Sequence, residues 1–212
     1  MKHRTEEVSY TRLRSAIACG ELLPNERLVE HDLASSLKVG RTAIRMALAR
    51  LAQENIVERL PNRGARVRRI SEREAVEILE VRTALEAVAA RHAAARATDA
   101  DVAALHAAIE AMRRGVDKGD ALVYTETNKA FHQEVLRIAD HLTTAGIIET
   151  LRSRYAQYQF RQVEQPRDSA TRIAQHQAIA DAIARHDADG AEHAMRDHLT
   201  DVLPGVRAQA RR

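Results

Sequence analysis

Three histidines and an asparagine in the second half of the chain could share a metal ion. Asn128 and His132 are spaced i and i+4, which puts both on one face of a helix. His176 falls near the middle of a later helical stretch, and His198 lies within the next one. Three imidazoles and an amide oxygen from three helices of one bundle suit a divalent transition metal such as zinc, nickel or manganese, with positions left for water or a ligand. The spacing alone is a weak signal. Eight histidines lie beyond residue 70, and a lone helical histidine is usually a surface or satisfied core residue. A second set, Arg41, Thr42 and Arg45, stands in the first turns of another expected helix. If that helix end enters a DNA major groove, arginine there can grip guanine O6 and N7 bidentately.

These groups need elements to hold them. Leu13, Ala16 and Ile17 give one amphipathic helix over Tyr10 to Ala18, closed by Gly20. A turn at Leu22 to Asn25 leads to a short helix from Glu30 to Leu37, and Lys38-Val39-Gly40 punctuates the step to the next. That third helix runs from Arg41 to about Gln53, burying Ile44, Ala47, Leu48 and Leu51. Ile56 to Arg59 and Ala65 to Arg68 read as two strands around a basic turn, Leu60 to Gly64. Such a hairpin is a wing, and Arg63 at its tip can reach phosphates or a narrow minor groove.

Composition agrees with a DNA-binding head on a separate body. Residues 1–70 carry 14 Lys/Arg against 8 Asp/Glu, and the remainder 19 against 22. Charge asymmetry alone is no better than chance clustering on a solvated surface, so it counts only beside the motif. Aromatics are 3% with no Trp, too few for a base-stacking platform, which favours duplex DNA over single strands. Cys19 is the only cysteine, which excludes an internal disulfide and a cysteine-based zinc cluster. The polar start predicts no signal peptide, and the sequence has no run of about 18 apolar residues to span a membrane. The expectation is a cytoplasmic protein.

Beyond residue 70 the signals are helical. Ser71 with Glu74 can open a helix as a capping box. Helices are expected over Glu72 to Arg96, Thr98-Asp99 to about Arg114, and Ala121 to Ala139. Others follow over Leu142 to about Gln165 (stopped by Pro166), Asp168 to Arg185, and Gly190 to Leu203. The fold expected is mostly α: an N-terminal winged helix-turn-helix over residues 1–70, then an antiparallel all-helical bundle over 71–212.

The stretch from Ile17 to Val67 resembles the DNA-binding domain of GntR-family regulators. The residues that carry the likeness are Gly20-Glu21-Leu22-Leu23-Pro24, Val39-Gly40-Arg41-Thr42-Ala43-Ile44-Arg45 and Pro61-Asn62-Arg63-Gly64-Ala65-Arg66-Val67. The resemblance makes Arg41, Arg45 and Gly64 DNA-contacting positions and adds His31. Gly40, Met46 and Asn25 depart from the usual pattern. Val81-Arg82-Thr83-Ala84-Leu85-Glu86, Asn128-Lys129-Ala130-Phe131-His132, His176-Gln177-Ala178-Ile179 and Met195-Arg196-Asp197-His198-Leu199 resemble the FCD ligand-binding domain of the FadR subfamily. That likeness implies a metal site at Asn128, His132, His176 and His198, with Asn128 in a slot more often filled by Asp. It also implies that Arg82 forks onto an effector carboxylate, against which stands a plain salt bridge to Glu86 on the next turn. Tyr158 is a further candidate to line the cavity.

Together these imply a homodimeric, non-enzymatic transcription regulator, most often a repressor, on pseudo-palindromic operator DNA and tuned by a small organic acid. Three rivals stand beside it. A metalloenzyme lacks an evident carboxylate base next to the ligands. A metal sensor would use the ion itself as the signal. A nonspecific architectural DNA binder would not discriminate among duplexes.

Overall fold

The computed structural model describes residues 2–60, 63–159 and 169–203. The chain divides into two compact units, Met1–Ser71 with Thr150–Arg161, and Glu72–Glu149 with Gln162–Arg212. No described helix is long and apolar enough to cross a membrane.

In the first unit α1 (Lys2–Ala18) is followed by β1 (Arg27–Leu28), α2 (Glu30–Leu37), α3 (Arg41–Gln53), β2 (Val57–Leu60) and β3 (Gly64–Val67). Leu13, Ile17, Leu28, Ile44, Leu48, Leu51, Ile56 and Val67 form one core, all but excluded from solvent. Each such side chain contributes about 1.5–3 kcal/mol by leaving water. The three strands order as β1-β3-β2, all antiparallel, so the inner wing strand is paired on both sides. The two-residue β1 exists only through that pairing, and no local pattern marks it. α1 starts eight residues before the expected Tyr10, because its first turns are polar and carry no apolar periodicity.

The step between α2 and α3 uses Lys38 in the left-handed conformation (φ 54°), whose backbone N–H closes on the Ala34 and Ser35 carbonyls. Gly40 is extended (φ −71°) and caps α3 without a side-chain bond. The punctuation therefore falls on Lys38, and the glycine's freedom goes unused there.

The second unit holds α4 (Glu72–Arg96), α5 (Asp99–Asp117), α6 (Ala121–Ala139), the first turns of α7 (Leu142–Gln159), α8 (Ser169–Ala184) and α9 (Ala188–Thr200). The expected stop of α7 at Pro166 lies outside the described residues. The core joins Ala89, Ala90, Ala93 and Ala94 of α4 to Leu105, Ile109 and Met112 of α5, Phe131 and Val135 of α6, Ile179 and Ile183 of α8, and Met195 and Leu199 of α9. The buried face of α4 is largely alanine, so its neighbours meet it at the level of single methyl groups.

Caps set the helix starts. Thr98 and Asp101 form a reciprocal box at α5, Asp120 accepts from Leu122 and Val123 N–H at α6, and Asp187 accepts from Gly190 N–H at α9. Thr98→Ala should cost about 1 kcal/mol in thermal or urea unfolding. Hydrogen bonds from the Thr98 backbone and hydroxyl, with help from Arg137, lower the Asp101 carboxyl to about 2. A lowered folded-state value adds stability above the ordinary carboxylate range that is lost as pH falls toward 2. The stability gap between the native chain and Asp101→Asn should therefore shrink from pH 5 to pH 2, as read by thermal melts.

Candidate metal centre and nucleic-acid interface

Burying one face of α3 decides what its other face can do. Ile44, Ala47, Leu48 and Leu51 are fully buried, so Arg41, Thr42, Arg45 and Met46 project from the opposite side and are exposed. His31 on α2 and Arg63 before β3 are exposed as well. Arg45 Nε donates to Glu30 Oε2 at 3.1 Å, and Arg59 Nη2 lies 3.9 Å from the other Glu30 oxygen. Any base edge that bonded Arg45 would have to take it from Glu30. An exposed pair is worth about 0–1 kcal/mol and a bidentate guanine contact about 1–3 kcal/mol, so the ion pair is no barrier to such a contact.

Gly64 has φ +83°, and a Cβ there would sit 2.2 Å from the Leu28 carbonyl oxygen. The position is glycine because β1 crosses its backbone. Arg27 Nε donates to the Arg63 carbonyl at 3.4 Å and braces the wing tip from β1.

In the second unit α6, α8 and α9 bring His132, His176 and His198 together, with ligand atoms within 4.8 Å of one another. Their exposures are 4%, 0% and 3%. Asn128, one turn before His132, points its Oδ1 at His176 Nε2 at 2.8 Å. Phe131 stands edge-on against His132 and His176 and walls the cluster.

The outer nitrogens explain the inner ones. His176 Nδ1 donates to the Arg172 carbonyl at 2.7 Å, and His198 Nδ1 donates to Gln175 Oε1 at 3.1 Å. His132 Nδ1 lies 2.9 Å from Glu86 Oε2. His176 and His198 thus spend Nδ1–H on an oxygen, which leaves Nε2 as a lone pair, while His132 sets its Nδ1 against a carboxylate. The Nε2 atoms converge: His132 and His198 Nε2 stand 3.3 Å apart, and His176 Nε2 faces an amide oxygen. Facing lone pairs repel unless a cation sits among them. A proton is a poor candidate, because burial, reinforced by His132, pushes His176 down to about 3. Burial also lowers His198 far below the ordinary range, with His176 and His132 adding to it. The donor set fits a divalent ion held by three neutral nitrogens and an amide oxygen.

Arg82 is 9% exposed and committed to Glu86, its Nε and Nη2 donating to Oε1 at 3.0 and 2.7 Å. The salt bridge anticipated as the plainer role for Arg82 is therefore formed. Tyr158 belongs to the part of α7 whose side chains lie outside the described residues. Sequence reasoning missed two contributors. Glu86 entered only as a partner for Arg82, although it also meets His132 across 46 residues, and Gln175 was not singled out. The i, i+4 spacing of Arg82 and Glu86 hinted at the first. Nothing local marked the second.

Residues 77–201 match the FCD domain family, and residues 5–67 match the bacterial regulatory proteins of the gntR family. The chain is 26% identical over 198 residues to the HTH-type transcriptional repressor RspR of Escherichia coli, covering 93% of this chain and 87% of that protein. It is 25% identical over 188 residues to the HTH-type transcriptional regulator McbR of the same organism, covering 87% and 85%. The solved structure of E. coli McbR/YncC superposes with a TM-score of 0.83 at 23% identity, over 97% of this chain and 98% of that one.

Proposed function

The chain belongs to the gntR family of bacterial regulatory proteins and carries an FCD domain, and from that premise we propose that it is a cytoplasmic, homodimeric repressor of the FadR subfamily. It reads a pseudo-palindromic operator and changes its grip when a small carboxylic acid binds near a divalent ion. The observation that carries the metal part is the convergence of three buried imidazoles, two of them fixed by an oxygen acceptor at Nδ1 and the third set against the Glu86 carboxylate. Asn128, His132, His176 and His198 would hold zinc, nickel or manganese, and the ion would supply a Lewis-acid point for an anionic group. Arg82 would offer its guanidinium to the effector carboxylate once Glu86 gives way.

Arg41, Thr42 and Arg45 would enter the major groove, with His31, Arg63 and the wing at Gly64 against the backbone or minor groove. One head reads a half-site, so a two-fold dimer is the geometry that reads a full one. An effector shifts DNA affinity only by preferring one state of the protein over the other. No enzymatic role is proposed, since the one carboxylate described against the triad, Glu86, is engaged with Arg82 and His132.

The experiment is selection of bound duplexes from a random pool, then fluorescence anisotropy at fixed salt. Arg45→Ala should weaken the selected duplex about tenfold or more while changing random duplex only a few-fold. Equal losses on both would instead support an architectural binder. The near-complete burial of the triad favours a second reading, in which the ion itself is the signal. Titrating Zn2+, Ni2+ or Mn2+ against duplex affinity, with no organic acid present, separates the two. A full response to metal alone selects the sensor, and a response only when carboxylic acids are added selects the effector.

A further inference from the structure

Glu86 is claimed from two sides. Both Arg82 hydrogen bonds fall on its Oε1, while Oε2 lies against His132 Nδ1. The carboxylate is 1% exposed, so water does little to screen either neighbour. An imidazole binds a metal better when its outer N–H meets a full carboxylate charge, because that charge raises the basicity of the inner nitrogen. A guanidinium on the same carboxylate draws that charge away and also repels an incoming cation. Here the matter is acute, since the inner donors are all neutral: three imidazoles, and an amide at Asn128 where a carboxylate would have helped. Among the described residues, the carboxylate that lies directly against a ligand of the centre is Glu86.

We infer that Glu86 is a positioning residue for the metal centre and that Arg82 throttles it, so that whatever draws Arg82 off Glu86 tightens the ion. This rests on the reading that the triad holds a divalent ion. It adds a regulatory link through one shared carboxylate. A carboxylate-bearing ligand that occupies the Arg82 guanidinium would hand Glu86 to His132 and strengthen metal binding without touching the ion. By linkage the ion would tighten that ligand by the same factor. Glu86 would then be the piece with two arrangements, paired with Arg82 or given over to His132.

The test uses the full chain and Zn2+ alone, titrated in competition with a fluorescent chelator. Arg82→Gln keeps an amide to bond Glu86 but removes the positive charge. Its zinc affinity should rise about tenfold, within the range known for outer partners of metal ligands. Glu86→Gln should weaken zinc about tenfold or more, and the double variant should bind no tighter than the native chain. Thermal melts without zinc add a second readout. Arg82→Gln should melt lower than native yet gain more from added zinc, whereas a packing role alone would lower stability and affinity together. Zinc affinity of Arg82→Gln at or below native, or of Glu86→Gln within about threefold of native, overturns the inference while leaving the metal site standing. If the native chain takes up no zinc at all, the metal reading falls and the inference with it.

Discussion

Gly64→Val is expected to collapse the wing and to abolish sequence-specific DNA binding. The residue sits at φ +83°, a region that a β-branched side chain enters only at a cost, and its new Cβ would lie 2.2 Å from the Leu28 carbonyl oxygen. That oxygen belongs to backbone held in register by the β1–β3 ladder, so it cannot swing aside as a side-chain tip would. Left-handed strain alone is worth about 1–2 kcal/mol. Breaking the strand pairing on top of it should bring the loss to about 3 kcal/mol or more, in the class of the severe single substitutions. Thermal unfolding followed by circular dichroism should show a lowered first transition, with the helical unit melting as before. Anisotropy on the selected duplex should fall to the random-duplex level. Arg63→Ala is the informative control, because it removes a tip charge with no backbone conflict. It should weaken selected and random duplex alike, and should leave the melt in place. A Gly64→Val protein that melts like the native chain would contradict the packing account of this glycine.

His176→Ala should remove stoichiometric metal. This imidazole is 0% exposed, and its ring stands within 5.6 Å of both other rings, centroid to centroid. Its Nε2 also faces Asn128. Without it the remaining donors are two imidazoles and a neutral amide, a set with only two of the three nitrogens and no negative charge to offset the loss. Metal content after dialysis against dilute Zn2+ should fall from about one ion per chain to near zero, an affinity loss of about 100-fold or more. Asn128→Asp should move the other way, since it restores a negative donor beside His176. Elemental analysis and chelator competition read both, and far-ultraviolet dichroism confirms that the helices persist. If His176→Ala retains bound zinc, the triad is a packed polar core and no metal centre.

How much of this could be read from the chain depends on distance along it. The bounds expected for α3, α4 and α6 coincide with those found, Arg41–Gln53, Glu72–Arg96 and Ala121–Ala139. Each has strong punctuation and, on its buried face, unbroken helical spacing. The start of α1 was missed because Lys2 to Ser9 offers no apolar stripe, and β1 because two residues hold no period. Asn128 and His132 were legible as a pair through their one-turn spacing. That His176 and His198 join them was carried by family likeness, since nothing within either helix points at the other. The second layer was the least legible. Glu86 reaches His132 from another helix, and Gln175 reaches His198 across 23 residues. Such contacts are made by packing and leave no local trace. The left-handed step at Lys38 shows the converse, a geometry taken by a residue without glycine's freedom because the two carbonyls behind it reward the turn.

The alanine face of α4 has an evolutionary consequence. Ala87, Ala89, Ala90, Ala93 and Ala94 are each 0% exposed. Alanine loses no rotamer entropy when buried, so this helix joins the core at little cost in side-chain freedom. It also has almost nothing to trim, and every enlargement inserts methylenes into a filled space at about 1–3 kcal/mol each. Drift over Ala87–Ala94 is therefore one-sided: these buried positions are held at one methyl by what surrounds them, and divergence is pushed to the outward face. A lineage adopting a new effector would have to vary residues outside this alanine stretch while the stretch itself stays put.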